Sequence, residues 1–229
     1  MSGTVNVNDY LGNVAQVARK CPTNTLRHAY MRAMREWCQQ TQWYRENIPG
    51  QTIADQPAYS LGSDPDLDVM GIFAMQASLT LPSPQGIQYW PLVPGRGTYW
   101  DPNYQPSPPT FFQYVPEGQF ALYPTPDQVY GLLITLILAP KESSVNVPLA
   151  PLTKYSNDIE AGALEYLMGL PGMPWTDKAM SVAKGREFRS GISNGKAEAQ
   201  RNYNVGPQRA RARSFGGGFN NRFVGGGIW

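Results

Sequence analysis

One histidine, two cysteines and a run of alternating acids are the side chains here whose types and spacing could do chemistry. Any Ser-His or Cys-His pair would have to use His28, and a histidine cluster for a metal is excluded by the same count. His28 lies beside arginines on a stretch of helical spacing, which reads as a surface or interface position. Ser63-Asp64-Pro65-Asp66-Leu67-Asp68 carries the alternate carboxylates of a calcium loop. However, Pro65 intrudes, Val69 stands where the sharp-turn glycine belongs, and Met75 replaces the bidentate glutamate. A solvated turn entering a strand is the expectation there. Gly95-Arg96-Gly97 lacks the third glycine and the strand-to-helix setting of a nucleotide loop. With no Walker motif, nucleophile elbow or Cys-x-x-Cys, the sequence points away from catalysis and calls for no cofactor and no metal.

The remaining chemistry lies at the C-terminal end. Arg201 to Trp229 holds five arginines, seven glycines and no acid, so it carries +5 in a chain whose total is +2. The residues ahead of it therefore sum to −3. Two Gly-Gly-Gly runs make ordering of this segment costly, and they leave it little to bury by itself. Yet Arg209, Arg211, Arg213 and Arg222 alternate with Phe215, Phe219, Phe223 and Trp229, which is too apolar for an idle linker. Such a segment suits a disordered nucleic-acid binder that combines charge with base stacking. It equally suits an arm that docks in a protein groove, its arginines meeting acids and its aromatics filling pockets. Composition leaves both open, with a plain solvated tail as the third possibility.

These residues hang on a chain of 229 residues in which charged side chains make up only 16%. Low charge with 23 glycines and 21 prolines is the make-up of a protein that buries much surface in an assembly. The start has neither the basic region nor the apolar core of a signal peptide. The longest apolar run, Gly131 to Ala139, is too short to cross a bilayer, so no membrane partner is expected. Cys21 and Cys38 would lie roughly 25 Å apart if the segment between them is helical, which predicts free thiols and a reducing, cytosolic origin.

Prolines divide the chain. Seventeen of the 21 fall between Pro49 and Pro151, and the proline-free stretches read as helical. Asn8 to Lys20 presents Leu11, Val14, Val17 and Ala18 on one stripe. Thr23 caps a second helix to Gln42 with Leu26, Tyr30, Ala33, Met34, Trp37 and Thr41 inward. Strands are expected at 58–61, 69–80, 87–93, 111–115, 120–123 and 129–139. Val115-Pro116-Glu117-Gly118 reads as a tight turn joining two aromatic strands. The run Leu132 to Leu138 reads as a strand buried on both faces, central to a small sandwich or barrel. Residues 82–109 form a long connection carrying Tyr89, Trp90, Tyr99, Trp100 and Tyr104, a candidate contact surface. Helices return at 153–168 and from a Thr176 cap to about Tyr203, with Ala179, Val182, Ala183, Phe188 and Ile192 inward. Gly185, Gly191 and Gly195 weaken the last helix by ~1 kcal/mol each against alanine, so it must lean on neighbours. The fold expectation is α+β: a helical bundle built from both ends of the chain (1–45 and 151–203), an inserted small antiparallel β domain (46–150), and an extended arm (204–229).

Two stretches resemble the podophage head-to-tail adaptor, or connector, family. Cys21-Pro22-Thr23-Asn24-Thr25-Leu26-Arg27-His28-Ala29-Tyr30, with Arg35-Glu36-Trp37-Cys38 and Thr41-Gln42-Trp43-Tyr44-Arg45, resembles its N-terminal helix. Ala121-Leu122-Tyr123-Pro124 resembles the strand before its last β-hairpin. Ile159-Glu160-Ala161-Gly162-Ala163-Leu164 with Pro171-Gly172-Met173-Pro174-Trp175 resembles the helix-turn-helix that follows. The order and spacing of these blocks, from Cys21 to about Arg189, carry the resemblance. It implies a non-enzymatic virion subunit made in the host cytoplasm, typically in a ring of twelve copies. Such a ring sits under the portal at the head-tail junction, recruits the tail nozzle, and passes double-stranded DNA without specific binding. It also implies a C-terminal arm reaching into the portal, which gives Arg209, Arg211, Arg213, Phe215, Phe219, Arg222, Phe223 and Trp229 as candidate portal contacts. The aromatic connection becomes the candidate contact for the nozzle or a neighbouring copy. A nucleic-acid-binding protein using the same tail, and a tail nozzle or tube subunit, stand as alternatives.

Overall fold

The computed structural model describes residues 3–62, 64–80, 86–95, 105–115 and 118–203. Strand β1 (Thr4–Asn6) leads through a 3-10 turn (Val7–Tyr10) into helix α1 (Leu11–Val17) and then α2 (Thr23–Thr41). The β region follows as β2 (Arg45–Gln51), β3 (Ala58–Ser60), β4 (Leu67–Thr80), β5 (Ile87–Pro94), β6 (Phe111–Val115), β7 (Gln119–Tyr123), β8 (Gly131–Pro140) and β9 (Asn146–Pro148). Helices α3 (Leu149–Gly169) and α4 (Lys178–Tyr203) complete the described chain. The class is α+β, with four α-helices and one curled seven-stranded sheet in the order β2-β8-β4-β5-β6-β7-β3. A separate two-stranded pair, β1 with β9, ties the N-terminus to the start of α3.

Chain length explains the curl. Six residues separate β2 from β3, the two edges of the sheet. Fully extended, that link spans at most about 24 Å, whereas seven flat strands would hold their edges roughly 29 Å apart. The sheet must therefore bend, and two register shifts in β4, at Val69/Gly71 and Ile72/Ala74, supply local twist. Its concave side fills with Met75, Ala77, Leu92, Phe112, Phe120, Leu122, Leu132 and Ile134, all buried.

The sequence predicts an antiparallel β domain, but the sheet is not wholly so, because β5 and β6 pair in parallel at Val93–Phe111 and Pro94–Phe112. The β6–β7 hairpin forms as expected, with Gly118 at φ +74° supplying the left-handed turn position. Pro116 and Glu117 lie outside the described residues. Strand β2 escaped the sequence reading because Pro49 and Gly50 sit inside it. It pairs only with β8, so proline loses no ladder bond on its open side. Strand β8 lies between β2 and β4, and only its second half is buried on both faces. Leu132, Ile134 and Leu136 point inward while Leu133 is 42% exposed, and from Leu136 to Pro140 every residue is buried.

Helix α2 follows the sequence pattern closely. Leu26, Tyr30, Ala33, Met34, Trp37 and Thr41 are all buried, although Pro22 rather than Thr23 occupies the cap position. The first helix is shorter than expected, with Val17 exposed and Lys20 at φ +67°, where the chain turns toward α2. Asp177 caps α4 through a 3.0 Å bond accepted from the Met180 amide. Thr176 is not the cap, because its hydroxyl donates to the Leu170 carbonyl and accepts from the Met173 amide.

The inward stripe of α4 also differs from expectation. Ala179, Val182 and Ala183 are exposed, and the buried positions are Gly185, Phe188, Gly191, Ile192, Gly195 and Ala199. The glycines are contact residues. A Cβ on Gly191 would lie 2.3 Å from Cγ of Asp158, and one on Gly195 would lie 2.9 Å from the Trp37 ring. Gly162 on α3 is closed in the same way by Phe188 at 2.8 Å and Ala33 at 3.0 Å. Small residues let α2, α3 and α4 approach closely, and the resulting packing offsets their poor helix propensity.

Candidate interaction surface

The outer side of the curled sheet follows from strand registers. Pro49, Leu133, Gln76 and Pro91 stand in one cross-strand row, and Gln51, Gly131, Ser78 and Tyr89 in another. Alternation along β5 then places Ile87, Tyr89, Pro91 and Val93 on this outer face, and all four are exposed. The parallel pairing carries the face onward to Phe111, and β6 adds Val115. Only three charged residues occur in the seven strands, Arg45, Glu46 and Asp68. All three pair with Leu136, Ile137 or Ala139, at the end of β8 that is buried on both faces. The rest of the outer face carries no charge.

The five aromatics of the expected contact connection separate. Tyr89 is 64% exposed on the outer face. Trp90, its neighbour in β5, points the other way. Its indole Nε1 donates to the Pro109 carbonyl at 2.9 Å, and its ring meets Tyr130 at 5.5 Å, nearly perpendicular. Trp90 therefore anchors the returning chain inside the fold. Tyr99, Trp100 and Tyr104 lie outside the described residues, as do Arg209, Arg211, Arg213, Phe215, Phe219, Arg222, Phe223 and Trp229 of the arm.

The root of that arm is well defined. Trp37, Trp43 and Tyr155 form a three-ring cluster, with centroids 4.6 Å apart for Trp37–Tyr155, 5.6 Å for Trp43–Tyr155 and 6.1 Å for Trp37–Trp43. Tyr155 sits at a break in α3, with φ −122° and ψ 20°. Glu198 on α4 accepts from the Tyr155 hydroxyl, the Lys154 ammonium and, at 3.4 Å, the Trp43 indole. The bonds from Lys154 and Tyr155 hold its carboxyl well below the usual range, at about 2. One acid thus links the segment after α2, the break in α3 and the last turns of α4, five residues before Tyr203.

Side chains that could have done chemistry are engaged otherwise. Asp64 accepts from the amides of Asp66 (2.7 Å) and Leu67 (3.1 Å), Asp66 accepts from Ser144 (2.6 Å), and Asp68 pairs with Arg35 (2.6 Å). The alternating acids thus build a turn. Among the described residues no group of histidine, cysteine and acid side chains is placed to hold a metal. Burial pushes the Cys38 thiol up to about 12 and raises Cys21, so neither is a thiolate near neutral pH. Both are free. His28 is exposed, its ring 6.4 Å from Tyr166. A cleft of about 420 Å³ between the ends of α2 and α4 is lined by Arg45, Lys196, Phe73 and glutamines, with no nucleophile and base side by side. No described helix is long and apolar enough to cross a membrane.

The described fold thus presents a largely uncharged, exposed sheet face, and separately a cluster that ties the last turns of α4 to the segment after α2 and to the break in α3. The family model of the SU10 adaptor protein matches residues 6–211. The chain belongs to this family. The SU10 adaptor family is a phage structural family and not an enzyme class, which makes the chain a component of a virion. No curated protein matches it. The match runs from the end of β1 through the rest of the described fold and past the end of α4 to include Arg209 and Arg211. The uncharged outer face was missed from sequence, although its signal was present: between Asp68 and Lys141 the only charged residues are Arg96, Asp101, Glu117 and Asp127.

Proposed function

We propose that the chain is a head-to-tail adaptor of the podophage type, a subunit of a twelve-membered ring under the portal that extends the DNA channel and recruits the tail nozzle. The adaptor family match over residues 6–211 carries this reading. The exposed uncharged sheet face supports it, since assembly would remove that face from water.

In this reading the helices from both ends of the chain form the body, and the arm straps it to the portal. Arg209, Arg211, Arg213 and Arg222 meet acids on portal subunits, while Phe215, Phe219, Phe223 and Trp229 fill apolar pockets. Portal contact supplies the free energy that orders the arm, and the ring adds avidity through many weak contacts. The Trp37–Trp43–Tyr155–Glu198 cluster fixes where each strap leaves the body. Tyr99, Trp100 and Tyr104 face the nozzle. The −3 balance of the residues ahead of Arg201 suits a channel that lets double-stranded DNA pass without gripping it.

Truncation at Asn204 tests the strap. Wild-type chain is expected to form rings on purified portal, and the truncated chain to leave portal bare. Unchanged ring formation by the truncated chain overturns the arm's role. Tight binding of the isolated tail to DNA or RNA, with a steep salt dependence, would instead favour the nucleic-acid reading.

A further inference from the structure

A solvated sheet face usually mixes apolar residues with charges of both signs, because an apolar patch of more than a few hundred Å² invites association. The outer face described above breaks that rule. Ile87 (52% exposed), Tyr89 (64%), Val93 (54%), Leu133 (42%), Phe111 (38%) and Val115 (38%) stand on it, with no charged strand neighbour beside them among the described residues. At ~3.3 Å per residue along a strand and ~4.8 Å between strands, each outward residue covers about 30 Å², so the twelve residues placed on this face above span roughly 360 Å². That is about half of the roughly 800 Å² per partner that a standard specific interface buries.

We propose that this face receives a second copy of this chain, and that it meets the exposed start of α4 on that neighbour. The inference rests on the adaptor reading above. Nucleic acid is a poor occupant, because apart from Arg45 at one end the described residues of the face present no lysine or arginine to neutralise phosphates. A ring of like subunits needs two unlike surfaces per copy, since head-to-tail contacts close rings whereas a single self-complementary patch closes a dimer. The chain carries a second, separate apolar surface of this kind. Met173 (46% exposed), Met180 (38%) and Val182 (55%) project where α3 turns into α4. Ala179, Val182 and Ala183 have the spacing of a buried stripe, yet the single chain leaves them open. Helix α4 packs mainly on α2 and α3, and both apolar surfaces stand exposed in the single chain, so they do not cover one another within one copy. Each exposed surface therefore has a counterpart of like chemistry on the next subunit.

The test compares the full-length chain with Tyr89→Lys and Val93→Lys, using Ser143→Lys, in the exposed turn between β8 and β9 and on neither surface, as a control. All are mixed with purified portal and examined by electron microscopy and native mass spectrometry. Both face variants are expected to keep the wild-type circular dichroism and melting temperature while ring yield falls at least tenfold. Ser143→Lys is expected to assemble like wild type. A photo-crosslinking residue at position 89 is expected to capture the segment 173–183 of a second copy. Wild-type rings with unaffected face variants, or capture of portal alone, overturn this contact and leave the adaptor reading standing. Capture of Tyr89 on a second copy overturns the head-to-tail arrangement. A wild-type chain that forms no ring with portal overturns the adaptor reading and this proposal together.

Discussion

The helical side of this molecule and the outer face of its sheet are built by opposite rules. Between α2, α3 and α4 every close approach is used. Gly162, Gly191 and Gly195 stand where any side chain would collide, Glu198 accepts from three donors, and Trp37 is wholly buried. Across the outer sheet face Ile87, Tyr89, Val93 and Leu133 stand largely in solvent, although they are as apolar as core residues. The first region packs the subunit internally, and under the proposal above the second is the surface that meets a partner. Mutations should therefore divide cleanly: those among the helices should alter stability, and those on the face should alter assembly.

The largest effect should come from Trp37→Ala. Loss of a fully buried indole from the three-ring cluster is expected to cost about 3–5 kcal/mol in denaturant unfolding. Next is Gly162→Val, which drives a side chain into Phe188 and Ala33 and should cost about 1–3 kcal/mol. A Gly162→Val chain as stable as wild type would show that the helices are looser than described. Glu198→Ala leaves the Tyr155 hydroxyl without its acceptor, worth about 1–2 kcal/mol.

The same acid gives a pH dependence. Its carboxyl is lower in the folded chain, at about 2, than its ordinary 4.5. Its stabilisation is therefore complete above pH 4.5 and fades as pH falls from there toward 2. Asp158, raised by burial, contributes with the opposite sign. Glu198→Ala should accordingly flatten the acid limb of a stability-against-pH curve, and an unchanged limb would contradict the assignment. The smallest effect should come from Tyr89→Ser, which is expected to shift the unfolding of the isolated chain by no more than about 0.5 kcal/mol. A large loss would mean that this face belongs to the subunit's own core.

Local pattern made much of the helical side legible from sequence. The stripe on α2 is read correctly because its apolar residues recur at helical spacing and all meet one core. Helix α4 shows where pattern fails. Its inward positions are largely glycines, which carry no hydrophobic signal, while Ala179, Val182 and Ala183 carry the signal and point outward. Under the proposed contact between copies, that periodicity marks what the assembly would bury and not what one chain buries alone. Trp90 was read as a contact residue because aromatics beside prolines look like a surface loop. Strand alternation instead turns it inward, beside an exposed Tyr89. Strand β2 was hidden by Pro49, a residue that becomes acceptable only once the strand is known to be an edge. The uncharged face needed the registers, since charge-poor strands become a charge-free surface only when cross-strand neighbours are known.

The most direct test of the account is electron microscopy of the full-length chain mixed with purified portal. The account predicts rings of the chain seated coaxially on the portal, extending its channel. Portals left bare beside single subunits, or the chain spread along nucleic acid with no ring on any portal, would contradict it.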